Sequence, residues 1–185
     1  MKDFLLIANQ NVITYKEFFP LLKERKVNVG CTKPKEYTLP NGDIQKSGDN
    51  IWFSTLSIHN KKKLVLTKKY KHTEYPHYDN YNAIEVGRIK DIPYDYDCVM
   101  GVPITIFGYD LDNVEIKRDT RLLRKKIEVR GIWNDKREEA DFIVKGTPTY
   151  LDEKHKSFQG PVVDGKAKYA RVLIKKKDCD NGSLL

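Results

Sequence analysis

The chain has 185 residues, 34 Lys plus Arg against 26 Asp plus Glu, a formal net charge of +8 and a pI near 9.2. At about 100–200 residues per domain this is one domain, or one and a fragment, which excludes a large multidomain assembly. A hydrophobic fraction of 39% beside 32% charged residues excludes disorder throughout, and no apolar run reaches the roughly 18–20 residues that span a bilayer, so a cytoplasmic protein with no membrane partner is expected.

Residues 4–8, Phe-Leu-Leu-Ile-Ala, are a continuous apolar run, the pattern of a strand covered on both faces as in a parallel sheet. Asn9-Gln10-Asn11 reads as a polar turn, and Thr14-Tyr15-Lys16-Glu17 as a capping box with Thr14 as N-cap. Phe18, Leu21 and Leu22 share a helical face, which predicts a helix over 14–26, kinked or restarted at Pro20. A strand buried on both faces needs a parallel neighbour on each side, yet no second clear βα repeat follows. The expectation is therefore the C-terminal part of a doubly wound α/β protein whose first strands lie upstream. An ordinary strand of a small mixed sheet is the simpler alternative.

Val27 and Val29 alternate with polar residues up to Gly30, and 32–50 reads as a loop. Residues 51–58 and 64–67 are strand candidates, with 59–63 as a hairpin loop between them, so that an antiparallel hairpin closes the sheet. From 70 to 96 Tyr, Asp, Asn and Pro dominate, which argues against helices; 83–86 is a short strand, and 99–107 is a buried-looking run broken by Gly101 and Pro103. Beyond it the chain turns basic. Residues 162–166 and 169–174 read as a hairpin with an Asp164-Gly165 turn.

Cys31, Cys98 and Cys179 suggest no disulfide framework, and His59, His72, His77 and His155 have no metal-ligand spacing, so no metal site is expected. The positive charge favours an anionic partner such as nucleic acid, although mildly basic soluble proteins are common.

Five segments carry a resemblance: 4–17 (FLLIANQNVITYKE), 50–56 (NIWFSTL), 75–86 (YPHYDNYNAIEV), 91–106 (DIPYDYDCVMGVPITI) and 160–176 (GPVVDGKAKYARVLIKK). Together they resemble the C-terminal half of EcoRI-type adenine-specific DNA methyltransferases, most weakly over 118–157. The resemblance implies an α/β fold: the C-terminal part of a Rossmann-like methyltransferase that uses S-adenosylmethionine, with an attached α+β recognition region. On that reading 1–70 closes the methyltransferase sheet, 71–177 recognises double-stranded DNA, and 178–185 is an unmatched tail. Family members carry the cofactor-binding segment and an Asn-Pro-Pro-Phe motif upstream of the strand matched by 4–8. Neither is in this sequence. No catalytic or cofactor-binding residue is therefore assigned, and the isolated chain is expected not to methylate DNA. The missing segment belongs either upstream in the same reading frame or to a separate partner chain.

Asn9 and Asn11, at the C-terminal end of the first strand, are candidates for lining the substrate pocket. Trp52 and Phe53 are candidates for stacking on a flipped base, but adjacent strand residues point to opposite faces and at least one belongs to the core. Lys61, Lys62, Lys63, Lys68, Lys69 and Lys71 form a cluster without acidic residues, and with Arg121, Arg124, Lys125 and Lys126 they are candidate phosphate contacts. Solvated surface charge is the competing explanation. Asp97 with Glu115-Ile116-Lys117 has the outline of a magnesium-dependent nuclease site, a loose spacing that charged chains often produce by chance. A non-catalytic DNA-binding or target-recognition module is the third reading. Cys98 departs from the family, which has Gly there; a required positive φ would strain it by about 1 kcal/mol or more.

Overall fold

A computed structural model describes residues 3–15, 17–56, 61–118, 121–133 and 161–178. The chain is mixed α/β with little helix, and it divides into two units: 1–62 with 107–109, and 63–106 with 110–185.

In the first unit the opening apolar run forms β1 (Leu5–Asn9). A 3-10 turn (Gln10–Thr14), α1 (Phe19–Lys23), β2 (Asn28–Val29), β3 (Glu36–Thr38), β4 (Ile44–Lys46) and β5 (Asn50–Ser54) follow. The sheet order is β1-β5-β2, and β5 is antiparallel to both neighbours. β1 and β2 consequently run parallel to each other, joined by a helical crossover, with β5 inserted between them. The expected burial of β1 on both faces is not found. Leu5, Leu6 and Ile7 are 58%, 38% and 45% exposed, and β1 is an edge strand of this sheet, paired with the antiparallel β5.

The helix expected over 14–26 shrinks to five residues. Asn9 accepts the Asn11 N–H and caps the 3-10 turn, while the Thr14 hydroxyl donates back to the Asn11 carbonyl. Pro20 lies in the first turn of α1, where a missing N–H costs nothing. Arg25 then adopts φ 60°, Lys26 N–H bonds the Leu21 carbonyl and Arg25 N–H the Leu22 carbonyl, a left-handed cap that stops the helix. Ile13, Phe19, Leu22, Val27, Val29, Ile51 and Phe53 form this unit's core, with Phe18 edge-on to Phe53 at 5.0 Å. The loop expected at 32–50 contains the β3–β4 ribbon, turned at Asn41-Gly42 with Gly42 at φ 88°.

The second unit is a six-stranded sheet built from β6 (Lys62–Leu66), β7 (Ile84–Glu85), β8 (Met100–Pro103), β9 (Tyr109–Arg118), β10 (Arg121–Trp133) and β13 (Arg171–Asp178). Its order is β6-β9-β10-β13-β8-β7; β7 and β8 are parallel, and β9, β10, β13 and β8 pair antiparallel in turn. The hairpin expected between 51–58 and 64–67 is not formed: β5 and β6 belong to different sheets, and 57–60 lies outside the described residues. The Asp164-Gly165 turn does form, with φ of 49° and 69°, but it joins two short strands, β11 (Val162–Val163) and β12 (Lys166–Ala167). β13 instead pairs with β10 and β8. Short 3-10 turns at His72–Glu74 and Ile89–Asp91 interrupt the irregular stretch expected to lack helices. Leu64, Leu66, Met100, Val102, Val114, Ile116, Ile127, Val172 and Ile174 are buried, supplied by every long strand of the sheet.

Candidate nucleic-acid interface

The most distinctive sequence segments, 75–86 and 91–106, meet in a buried polar node. Arg171 on β13 donates from Nε and Nη2 to the Glu85 carboxylate at 2.9 and 2.6 Å, and the Tyr78 hydroxyl donates to Glu85 Oε2. Burial first, and then the Glu85 charge, push the Tyr78 hydroxyl well above the ordinary tyrosine range. Gly101 on β8 makes room for this ring, since a Cβ there would lie 2.0 Å from the Tyr78 hydroxyl. Removing one partner of such a buried pair costs about 3–5 kcal/mol. The node therefore holds β7, β8 and β13 together. A neighbouring cleft of about 520 Å³ is lined by Lys68, Glu74, Asp91, Arg88 and Arg171, among others, most of them already paired.

A second cleft, of about 370 Å³, is basic. It is lined by Asp97, Lys125, Arg130, Lys175, Lys176 and Lys177. Its cations come from β10 and β13, where Lys126 is opposite Lys177, Ile127 opposite Lys176 and Glu128 opposite Lys175, while Asp97 comes from the segment before β8. β8 pairs with β13 only from Arg171 to Ile174, and the cleft opens beyond that point. The Lys176 side chain is fully buried; it donates to the Tyr94 carbonyl and lies 3.4 Å from Asp97. Burial pulls its ammonium below the ordinary lysine range, an effect that Asp97 opposes. Asp97 also lies 3.9 Å from Lys125, while Arg130 and Lys177 share Glu128 at 3.1 and 3.0 Å. The hydrogen bond from Lys177 holds the Glu128 carboxyl below its usual range.

Asn9 and Asn11 are exposed at the end of β1 and bonded to each other. Phe53 is fully buried against Phe18, which leaves it no free ring face for a base; Trp52 is half-buried on the opposite face of β5, against Gly30. The lysine cluster is less uniform than its sequence. Lys68 lies 2.9 Å from Glu74 and 3.6 Å from Asp91, Lys71 lies 2.9 Å from Glu74, and Lys63 lies 3.4 Å from Glu115. The charge of Glu74 is thus shared by two lysines, whose hydrogen bonds hold its carboxyl below the usual range. Lys61 is half-buried, and Lys62 and Lys69 are exposed. Lys126 pairs with Asp112 at 3.2 Å. Of Arg121 and Arg124 only the backbone is described, on β10. Asp97 and Glu115, the carboxylates of the nuclease outline, serve separate lysines. Cys98 is exposed and has no positive φ, so the expected strain is not present. Arg130, Lys175, Lys176 and Lys177 were not selected from the sequence, although the run of three lysines was a readable charge signal.

Among the described residues no helix is long and apolar enough to cross a membrane. A family model described as adenine-specific methyltransferase EcoRI matches residues 1–177. The chain is 37% identical over 197 residues to the type II methyltransferase M.EcoRI of Escherichia coli, covering 95% of this chain and 51% of that relative. It is 28% identical over 205 residues to M.MgeORF184P of Mycoplasma genitalium and 26% over 198 residues to M.MpnI of Mycoplasma pneumoniae, covering 95% of this chain and 57% of each relative. It therefore spans about half the length of the curated relatives it matches. No solved structure gives a significant match. The chain belongs to the EcoRI-type adenine-specific methyltransferase family.

Proposed function

We propose that this chain is part of a restriction-modification DNA methyltransferase that moves a methyl group from S-adenosylmethionine to the N6 of adenine in a specific sequence of double-stranded DNA. The match over 1–177, with 37% identity to M.EcoRI, carries that reading. In the first unit the parallel β1 and β2, with their helical crossover and the inserted antiparallel β5, are what a Rossmann-like sheet with one reversed strand would contain. The outer edge of β1 and its exposed Leu5, Leu6 and Ile7 support a further strand and covering helices on that side. An apolar, unpaired edge of this kind is otherwise an aggregation hazard.

The cofactor supplies an electrophilic methyl group on a sulfonium. The two clefts of the second unit do not fit it, because one is lined by residues already in ion pairs and the other by lysines that repel a cation. No step of methyl transfer is assigned to residues of this chain. Its own share is binding duplex DNA, in the cytoplasm, and helping to build the base pocket around Asn9, Asn11 and Trp52. A target-recognition module without catalysis describes the isolated chain on the same grounds.

The test is transfer of labelled methyl groups to duplex DNA by the 185-residue chain alone, and by the chain supplied with an Asn-Pro-Pro-Phe-bearing segment, either fused upstream or added as a separate polypeptide. No transfer is expected from the chain alone, and N6-methyladenine from the completed protein. Transfer by the chain alone overturns the division of labour; a completed protein that methylates cytosine overturns the substrate.

A further inference from the structure

We propose that the basic cleft on the β10–β13 pair, beside β13 beyond the end of β8, is a clamp for backbone phosphate of duplex DNA, contacted by Lys125, Arg130, Lys175 and Lys177. Five of the six residues that line it are cations and the sixth is Asp97, so the wall is predominantly positive. Lys176 contributes charge from beneath, because its side chain has no exposed surface and is held by the Tyr94 carbonyl. Lys125, Arg130 and Lys177 keep 23%, 45% and 55% of their side-chain surface exposed, so they can reach a ligand.

The composition of the wall selects the kind of anion. Every lining side chain is charged, and none is aromatic or aliphatic enough to stack on a base or cover a sugar. What binds is therefore recognised through its charge, as a backbone phosphate is, and the contact carries no sequence information. Asp97 already bridges two of the lysines at the mouth while remaining 68% exposed, the position an incoming phosphate oxygen would compete for. This inference rests on the reading above that duplex DNA is the partner.

The test is fluorescence anisotropy of the full 185-residue chain on duplex DNA across a salt series, for wild type, the Lys175→Gln/Lys177→Gln double variant and Asp97→Asn, each checked for an unchanged unfolding midpoint. Each phosphate neutralised contributes about 0.9 to the slope of log K against log salt. The double variant should lose about 1–2 from that slope and bind several-fold more weakly at moderate salt, equally on unrelated sequences. Asp97→Asn should bind more tightly. Inorganic phosphate, titrated at constant ionic strength, should not displace the DNA. Wild-type slope and affinity in the double variant overturn the clamp while leaving the DNA reading intact. Absence of DNA binding by the wild-type chain overturns both, and saturable displacement by inorganic phosphate reassigns the cleft to a free anion.

Discussion

Gly101→Ala tests the buried node most directly, because the substitution adds one methyl group and no charge. That methyl would lie 2.0 Å from the Tyr78 hydroxyl, 2.7 Å from its Cζ and 2.9 Å from its Cε2, so the whole end of the ring must move. The ring has little freedom to do so. Its hydroxyl is bonded to Glu85, itself clamped by Arg171, and its body packs with Ala83, Val163 and Leu173. Overpacking of this kind costs about 1–3 kcal/mol, and loss of a hydrogen bond to a charged acceptor adds about 1.5–3 kcal/mol. The expected loss is about 3–5 kcal/mol, a large share of the stability of a domain this size. In urea it should lower the midpoint by about 1.5–2.5 M at an m-value near 2 kcal/mol/M. Tyr78→Phe removes the nearest atom, so the Tyr78→Phe/Gly101→Ala double variant should cost at least about 1 kcal/mol less than the sum of the single ones. A Gly101→Ala variant within about 0.5 kcal/mol of wild type, or strictly additive costs, would refute the packing argument.

Three further outcomes follow from neighbouring features. Glu74 is held below its ordinary value of 4.5 by Lys68 and Lys71, so its contribution is present above that value and is lost as pH falls through the lower folded one. Glu74→Gln should therefore flatten the acid limb of the stability profile, and an unchanged limb would contradict the pairing. Lys176 has the opposite sense: its folded value lies below 10.5, so the unfolded chain binds the extra proton and stability rises as pH climbs between the two. Lys176→Met should abolish that alkaline rise, measured by urea midpoints across the range. Gly165, at φ 69° and donating its N–H to Asp79, should lose about 1 kcal/mol on replacement by Ala, whereas a neutral result would mean that the turn is not held in this form.

Local chemistry was legible where it was dictated by turn residues or by a short buried run. Asp164-Gly165 announced a tight turn, 83–86 contained a strand, and of the two breaks expected in 99–107 Pro103 is the last residue of β8 whereas Gly101 lies within it. Pairing was not legible, because nothing in residues 51–67 says that β5 is claimed by β1 and β2 while β6 joins a different sheet. The first helix failed for a local reason: a 3-10 turn capped by Asn9 occupies 10–14, α1 starts only at Phe19 without a side-chain cap, and Arg25 takes the left-handed position without the glycine that usually signals it. The basic cleft was missed because its cations come from two strands far apart in sequence. Three of the five are Lys175, Lys176 and Lys177, whose alternation along β13 gave no sign that one is buried.

This separates two kinds of constraint in one sheet. The node of Tyr78, Glu85, Gly101 and Arg171 depends on a distance and a bidentate geometry that no substitute reproduces, so a single methyl group or a Lys in place of Arg should disrupt it. The basic cleft farther along β13 depends on summed charge, to which Lys and Arg at several positions contribute almost interchangeably. The segments most readily identified in the sequence are therefore those that hold the second unit in shape. The surface proposed to meet DNA is the more tolerant part, and its residues are found from the register of β10 against β13 and not from a motif.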